Sequence, residues 1–312
     1  MGRRRRPRPP ATKLILWWLC ILLLGILVGL LVQASCGRGG QETPRSAPAS
    51  LGGRKVASKP GRITVKNTKA PQAASSTTAG KPRGRPLKEA MPRVALVIDD
   101  LGRAEPSLVR RLCAIGVPMT VAILPFLPHS QESARLAKAG GMEIFLHMPM
   151  EPLGYPGQGK NPGPGAVLSG HSEAEVRDLV ASAMRDIPFS VGLNNHMGSR
   201  ITPDRVRIRW ILEEVKKSRW LFLDSRTGKD TVALEVAKEL GVPSLERKIF
   251  LDDSHDPANM AHQWKRALTL SRHDDSVVVI GHILEDTVAF LETSLPAACA
   301  EVTFVKVSEM VR

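Results

Sequence analysis

Val94-Ala-Leu-Val-Ile-Asp99-Asp100 decides how this chain is read: five apolar residues in a row, then two carboxylates. Two later runs end in a similar way, Ile144-Phe-Leu-His147-Met-Pro-Met-Glu151 and Val191-Gly-Leu-Asn194-Asn195-His196. Apolar runs of this length, separated by helical stretches, read as buried parallel strands. In a closed βα barrel the carboxyl ends of such strands converge on one face, where active sites are built. Two carboxylates and two imidazoles arriving there make a candidate divalent-metal site with a spare acid to serve as base.

Outward from these runs, strands are expected near 93–99, 119–125, 142–148, 190–196, 220–225, 245–251, 277–282 and 302–307. Helices are expected near 104–115, 129–140, 172–186, 204–218, 230–240, 257–271 and 286–295. Ser172 ahead of Glu173 and Glu175, Asp204 after Pro203, and the glycines Gly140 and Gly241 mark helix ends. Strict alternation of strand and helix predicts an α/β domain over 93–312 with a mostly parallel sheet. A closed or nearly closed barrel is the expected form, with a doubly wound open sheet as the alternative. No Gly-rich phosphate loop follows the first strand, which argues against nucleotide binding.

The first 92 residues are of another kind. Residues 1–13 carry six Arg/Lys and no acid, and 14–32 hold no charged residue. At about 1.5 Å per residue that run spans roughly 28 Å, close to a ~30 Å hydrocarbon core. Trp17 and Trp18 stand near its start, where amphipathic rings favour the headgroup region. Cations precede the span in excess, so the expected topology is a single-pass inner-membrane signal anchor. Residues 1–13 stay cytoplasmic and everything downstream is exported to the periplasmic or extracytoplasmic face. A cleaved signal peptide ending at Ala34, or lipidation at Cys36, is the rival reading. Residues 33–92 read as a disordered basic linker, rich in Gly, Pro, Ser, Thr and Lys/Arg and too poor in apolar residues to offset ordering entropy. Residues 1–93 hold 19 Lys/Arg against 2 acids, and 94–312 hold 25 against 28, so the net +14 belongs to the tail. Behind an export anchor such a tail suits a spacer, anionic headgroups or wall polymers rather than nucleic acid. Cys113 and Cys299, the two cysteines of the domain, are expected as buried free thiols.

Perfect pleating sends adjacent side chains to opposite faces. Asp99 and Asp100 therefore serve one site only if the backbone leaves the strand there, which Gly102 makes easier. In the His147 strand, Ile144 and Leu146 share one face, Phe145 and His147 the other. Glu151 is a candidate further ligand, or a partner that orients His147. Asn194 and Asn195 are expected to bind sugar hydroxyls or to fix an imidazole tautomer. Asp224-Ser-Arg226-Thr ends the fifth strand, Arg247 and Asp252-Asp253 lie around the sixth, and His282 ends the seventh as a candidate acid. Nearly every strand thus ends in chemically competent residues, which core packing alone does not require.

Val97-Ile-Asp99-Asp100-Leu-Gly, Leu146-His147-Met-Pro-Met-Glu151-Pro, Asn161-Pro-Gly-Pro-Gly-Ala, Gly192-Leu-Asn-Asn-His196-Met-Gly-Ser, Phe222-Leu-Asp224-Ser-Arg-Thr and Ile280-Gly-His282 resemble the motifs of the divergent polysaccharide deacetylases. These are cell-envelope relatives of the chitin and peptidoglycan deacetylases, and the resemblance covers about residues 93–310. It implies a distorted (β/α)7-type barrel of the carbohydrate esterase type, with an eighth strand outside it. It also implies a divalent metal and removal of N-acetyl groups from a polymeric sugar. By position, Asp99 resembles the general base, Asp100 the aspartate metal ligand, His147 the first metal histidine and His282 the catalytic histidine. The ordinary pattern carries a second histidine where this chain has Glu151. His196, in the segment matching the third motif, is the expected replacement ligand. After His282 the family continues with proline and histidine, whereas this chain has Ile283-Leu284.

The expected function is therefore a membrane-anchored hydrolase that deacetylates a cell-envelope polysaccharide. In it Asp99 and His282 act in catalysis, and Asp100, His147 and His196 hold the metal. Asn194, Asn195, Asp224, Arg226 and Arg247 contact substrate. Mixed N/O donors suit Zn²⁺, with Co²⁺, Mn²⁺ and Ni²⁺ also compatible. Two alternatives stand beside it. One is an inactive glycan- or protein-binding envelope scaffold, favoured by the sparse aromatics Tyr155, Trp210, Trp220 and Trp264; the other is a metallophosphoesterase.

Overall fold

Successive residues of the first strand, β1 (Arg93–Leu101), feed two different cores. Val94, Leu96 and Ile98 pack outward with helix residues, while Ala95 and Val97 pack inward among strand residues. The two-residue period of a strand makes this division, and cover on both faces explains why the run is apolar throughout. The computed structural model describes residues 91–311. The expected anchor at 14–32 and linker at 33–92 lie outside the described residues, apart from the linker's last two. Among the described residues no helix is long and apolar enough to cross a membrane.

The remaining strands are β2 (Thr120–Ile123), β3 (Glu143–Met150), β4 (Gly192–Met197), β5 (Leu221–Asp224), β6 (Ser244–Glu246), β7 (Ile249–Phe250), β8 (Ser276–His282) and β9 (Thr303–Val305). All pair in parallel, in the order β6-β5-β4-β3-β2-β1-β8-β7. Helices α1 (Pro106–Ala114), α2 (Ser130–Ala139), α3 (Glu173–Asp186), α4 (Arg205–Lys217), α5 (Ala233–Leu240), α6 (Pro257–Asp274) and α7 (Glu285–Ala298) alternate with them. The caps read from sequence form at two starts. Ser172 and Glu175 make a reciprocal capping box on α3, and Asp204 accepts from Val206 N and Arg207 N on α4.

The expected sixth strand is split, and the split closes the sheet. Its first part, β6, pairs with β5, and its second, β7, pairs with β8. Between them Arg247 N donates to Asp224 O while its neighbour Lys248 N donates to Val278 O. One extended segment thus joins both edges, so the sheet curls into a barrel rather than opening as a doubly wound sheet. The eighth expected strand, β9, pairs with Arg93–Ala95 at the start of β1, below the point where β2 joins at Val97. It lies outside the circuit, and Val305 and Val307 add to the inner core. That inner core is tight. A Cβ on Gly192 would sit 2.5 Å from the Phe145 ring, so this position has room for glycine only. Cys113 is half-buried and Cys299 is exposed at the end of α7, so the expectation of burial fails for Cys299.

Candidate active site

The inward-facing series changes from apolar to polar at the carboxyl ends of the strands. Above Val97, Phe145 and Ile280 stand Asp99, His147 and His282, and above Gly192 stand Asn194 and His196. Direct register pairs His147 with Asn194 and Asp99 with His282. Asp99, Asp100, His147, His196 and His282 line a cavity of about 520 Å³.

Asp100 reaches this face by a break in the strand. The register of β1 against β2 shifts between Ile98 and Leu101, and Asp100 adopts φ 67°. A bulge of this kind re-aims a side chain, here bringing adjacent carboxylates to one site. Gly102 follows at φ 102°, and a Cβ there would meet Leu124 O and Ser130 Oγ at 3.0 Å. Met197 and Arg226, at the exits of β4 and β5, are also left-handed. Such a conformation costs a non-glycine residue of order 1–2 kcal/mol, so three residues of the cavity wall carry backbone strain.

Asp100, His147 and His196 offer donor atoms that all lie within 4.8 Å of one another. Asp100 Oδ1 is 3.2 Å from His147 Nε2 and 2.9 Å from His196 Nδ1, and the two nitrogens are 3.2 Å apart. The His147 tautomer is fixed from behind. Its Nδ1 lies 2.8 Å from Asn194 Oδ1, while Asn194 Nδ2 donates to Asp99 Oδ1 at 2.9 Å and to Ser225 Oγ at 3.2 Å. The amide must therefore present its carbonyl to Nδ1–H, which leaves the Nε2 lone pair facing Asp100. Asp100 Oδ1 and His196 Nε2 are buried with no hydrogen-bond partner. Electron-rich atoms in a triangle of this size fit a divalent ion. Zinc bonds of ~2.0–2.2 Å place tetrahedral ligands about 3.4 Å apart. The charges agree. Burial disfavours the Asp100 anion, but the two imidazoles outweigh it and hold the carboxyl well below the usual range. Burial likewise disfavours the His147 imidazolium, and Asp99 and Asp100 outweigh it, pushing that group upward. His196 moves down through its burial.

Asp99 approaches the same nitrogen of His147, with Oδ2 3.6 Å from Nε2. Burial pushes its carboxyl up, against the opposing pull of His147 and His282. On the neighbouring strand β8, His282 is held by Asp252, whose Oδ1 is 3.0 Å from Nδ1 and whose Oδ2 accepts the His282 backbone N–H at 2.7 Å. Thr287 Oγ1 donates to the same Oδ2 at 2.7 Å. Burial works against the His282 imidazolium, but the bond to Asp252 outweighs it and pushes the group up to about 9. Asp252 was legible only as part of an acidic pair near the sixth strand. The missed signal is its parity with Phe250, two residues earlier on the cavity wall.

The residues expected on substrate divide. Arg226 and Arg247 line the cavity, as does Asn195, whose amide ties the exits of β4 and β5 by accepting from Ser225 N and donating to Thr227 Oγ1. Asn194 and Asp224 are fully buried and are not on the wall. Asn194 stands one inward position below His196. Asp224 shares parity with Phe222 of the outer core and accepts from Arg226 N and Thr231 Oγ1. Both are corrected from substrate contact to internal support. Glu151 is likewise no ligand. Its carboxylate accepts from Ser169 N at 2.5 Å and pairs with Arg200 at 3.0 Å. It ties down the end of the Gly/Pro-rich 152–168 loop, whose Pro152 and Lys160 reach the cavity.

The profile of the divergent polysaccharide deacetylase family matches residues 96–311. The chain belongs to this family. The uncharacterized protein YibQ of Escherichia coli (strain K12) is 34% identical over 218 residues, covering 70% of this chain and 67% of that one. An uncharacterized Haemophilus influenzae protein is 36% identical over 208 residues, 66% of this chain and 72% of its own. The crystal structure of the uncharacterized protein ATU2773 from Agrobacterium tumefaciens C58 shares the fold. It has a TM-score of 0.65 at 23% identity, covering 72% of this chain and 91% of that one.

In this divergent polysaccharide deacetylase, Asn194 is a positioning residue. Asn194→Leu removes the carbonyl that fixes the His147 tautomer. Divalent-ion affinity, titrated by calorimetry, should fall roughly 10–100-fold, the usual cost of losing such a partner. An unchanged affinity would show that His147 is oriented by other means.

Proposed function

We propose that the chain is a metal-dependent hydrolase that removes N-acetyl groups from a cell-envelope polysaccharide. It would be anchored by residues 14–32 with its barrel on the outer side of the membrane. The observation that carries this reading is the meeting of three ligand atoms, a separate carboxylate and an Asp-paired histidine in one cavity. Asp100, His147 and His196 would hold the ion, zinc by their N/O chemistry, which supplies Lewis acidity toward the acetyl carbonyl and the attacking water. Asp99, free of the ligand triangle but beside it, takes the proton from that water. Asn194 Nδ2 holds the Asp99 carboxylate in place through one oxygen and leaves the other available. His282, register partner of Asp99 on the neighbouring strand, is the imidazolium that Asp252 maintains, and protonates the departing amine.

Acetate release tests the reading. The full-length chain in detergent should release acetate from N-acetylated envelope glycan, lose the activity to a chelator and regain it with Zn²⁺, Mn²⁺ or Co²⁺. Phosphate-ester hydrolysis without acetate release would favour a metallophosphoesterase. Glycan binding by a chain that takes up no metal would favour the scaffold.

A further inference from the structure

The upper wall of the cavity is cationic. Lys160, Arg226 and Arg247 line it, and Phe250 is the one aromatic ring on it apart from the two histidines bound into the metal site and His282. Of the cations, Arg226 is neutralised by Glu246. Lys160 is exposed on its loop and donates to Leu153 O at 3.3 Å, with no carboxylate partner among the described residues.

Arg247 is the more telling group. It is half-buried and fixed in place, Nε donating to Ser225 O at 2.7 Å and Nη2 to Arg226 O at 2.8 Å. Its guanidinium lies 4.7 Å from the centroid of the Phe250 ring. It, too, has no carboxylate partner among the described residues. On the outer helical surface, by contrast, Arg111, Arg177 and Arg205 each meet glutamates. A guanidinium pinned by backbone carbonyls and stacked on an aromatic keeps donors in a preset fork, the arrangement that receives an oxyanion. Its partial burial without an anion is unfavourable until one arrives. Neutral sugars are usually gripped by stacking on Trp or Tyr faces, and this wall presents neither.

We propose that Arg247 and Lys160 form an oxyanion subsite. It takes a carboxylate or phosphate carried by the sugar next to the N-acetylated one, so that the preferred substrate is an acidic glycan. This rests on the deacetylase reading of the same cavity.

The test compares kcat/KM of the zinc-loaded full-length chain on three oligosaccharides of equal length. One is a neutral N-acetylglucosamine oligomer. The second alternates N-acetylglucosamine with N-acetylmuramic acid, and the third carries phosphate on alternate sugars. An acidic oligomer should be preferred by at least roughly tenfold, the size of one charge-assisted hydrogen bond. The acidic oligomer that shows the preference identifies the oxyanion. Arg247→Gln should largely abolish that ratio, and the surface variant Lys160→Gln should reduce it even if Arg247→Gln fails to fold. Equal rates on all three oligomers, or a ratio that neither variant moves, would overturn the subsite and leave the deacetylase reading standing. If none is hydrolysed, yet calorimetry shows tighter binding of an acidic oligomer that Arg247→Gln removes, the subsite stands and the deacetylase reading fails.

Discussion

Asp100→Asn should leave the full-length chain without its stoichiometric divalent ion and lower acetate release by at least roughly 10²-fold. That is the scale expected when several kcal/mol of Lewis-acid stabilisation are lost at about 1.4 kcal/mol per decade. Asparagine is the informative replacement because Asp100 sits at φ 67°. Asn tolerates the left-handed region, whereas alanine would add strain to the loss of charge. The amide keeps the side chain's shape beside His147 Nε2 and His196 Nδ1, but it no longer supplies the anionic oxygen that a divalent ion would take from Asp100. His147→Ala should have the same effect on metal content through a different donor. Metal analysis by mass spectrometry, with circular dichroism to show that the barrel is intact, reads both. Full metal occupancy in either variant would remove the Asp100–His147–His196 centre and the hydrolytic mechanism with it.

How much of this was legible depends on parity. The apolar runs ending at Asp99, His147 and His196 announce parallel strands and a common mouth, and alternation within β3 already puts Phe145 and His147 on one face. The same rule, applied one strand further, places Asp224 with Phe222 on the helix side and Asn194 one layer beneath His196. Where the rule breaks, less can be read. Asp99 and Asp100 share a site only because β1 bulges, and Gly102 hints at that without fixing it. Glu151 looks like a ligand from its spacing to His147. What removes it is a loop of non-local contacts, Ser169 N and Arg200, that no local pattern encodes.

A closed or nearly closed barrel was expected, but the way it closes was not legible, for a similar reason. Residues 245–251 read as one strand, but the segment forms two short strands and exchanges partners between Arg247 and Lys248. Pairing partners are a property of the folded sheet, not of the segment. The exchange also has a consequence for the site. It places Arg247 on the cavity wall at the seam and carries the chain on through Phe250 to Asp252, directly beside the end of β8. One short segment therefore closes the barrel and delivers both a cation to the rim and the carboxylate partner of His282.

That carboxylate sets up the second large effect. Asp252→Asn should lower kcat on the order of 10²-fold and move the alkaline limb of the pH–rate profile from about 9 toward 6.5. A general acid must carry its proton, so activity falls as pH rises through the His282 value, and losing the anion that raises that value brings the fall to lower pH. An amide also turns against the ring. If the new side chain keeps its oxygen on the His282 backbone N–H, its NH₂ group faces Nδ1 and drives the proton to Nε2, the tautomer opposite to the one Asp252 selects. Stability should respond with a definite sign. The raised His282 contributes stability that is complete below 6.5 and lost as pH rises through about 9. Asp252, held below its usual 3.8 because the bonds from His282 outweigh its burial, contributes stability present above 3.8 and lost in stronger acid. Between those limits the pair is intact, so the stability gap between wild type and Asp252→Asn, measured by urea unfolding, should be wide at pH 7 and narrower at pH 10. His282→Ala, which removes the acid itself, should cost roughly 10²–10⁴-fold with no alkaline limb remaining. A profile in which Asp252→Asn keeps its alkaline limb at 9 would mean that another group protonates the leaving amine.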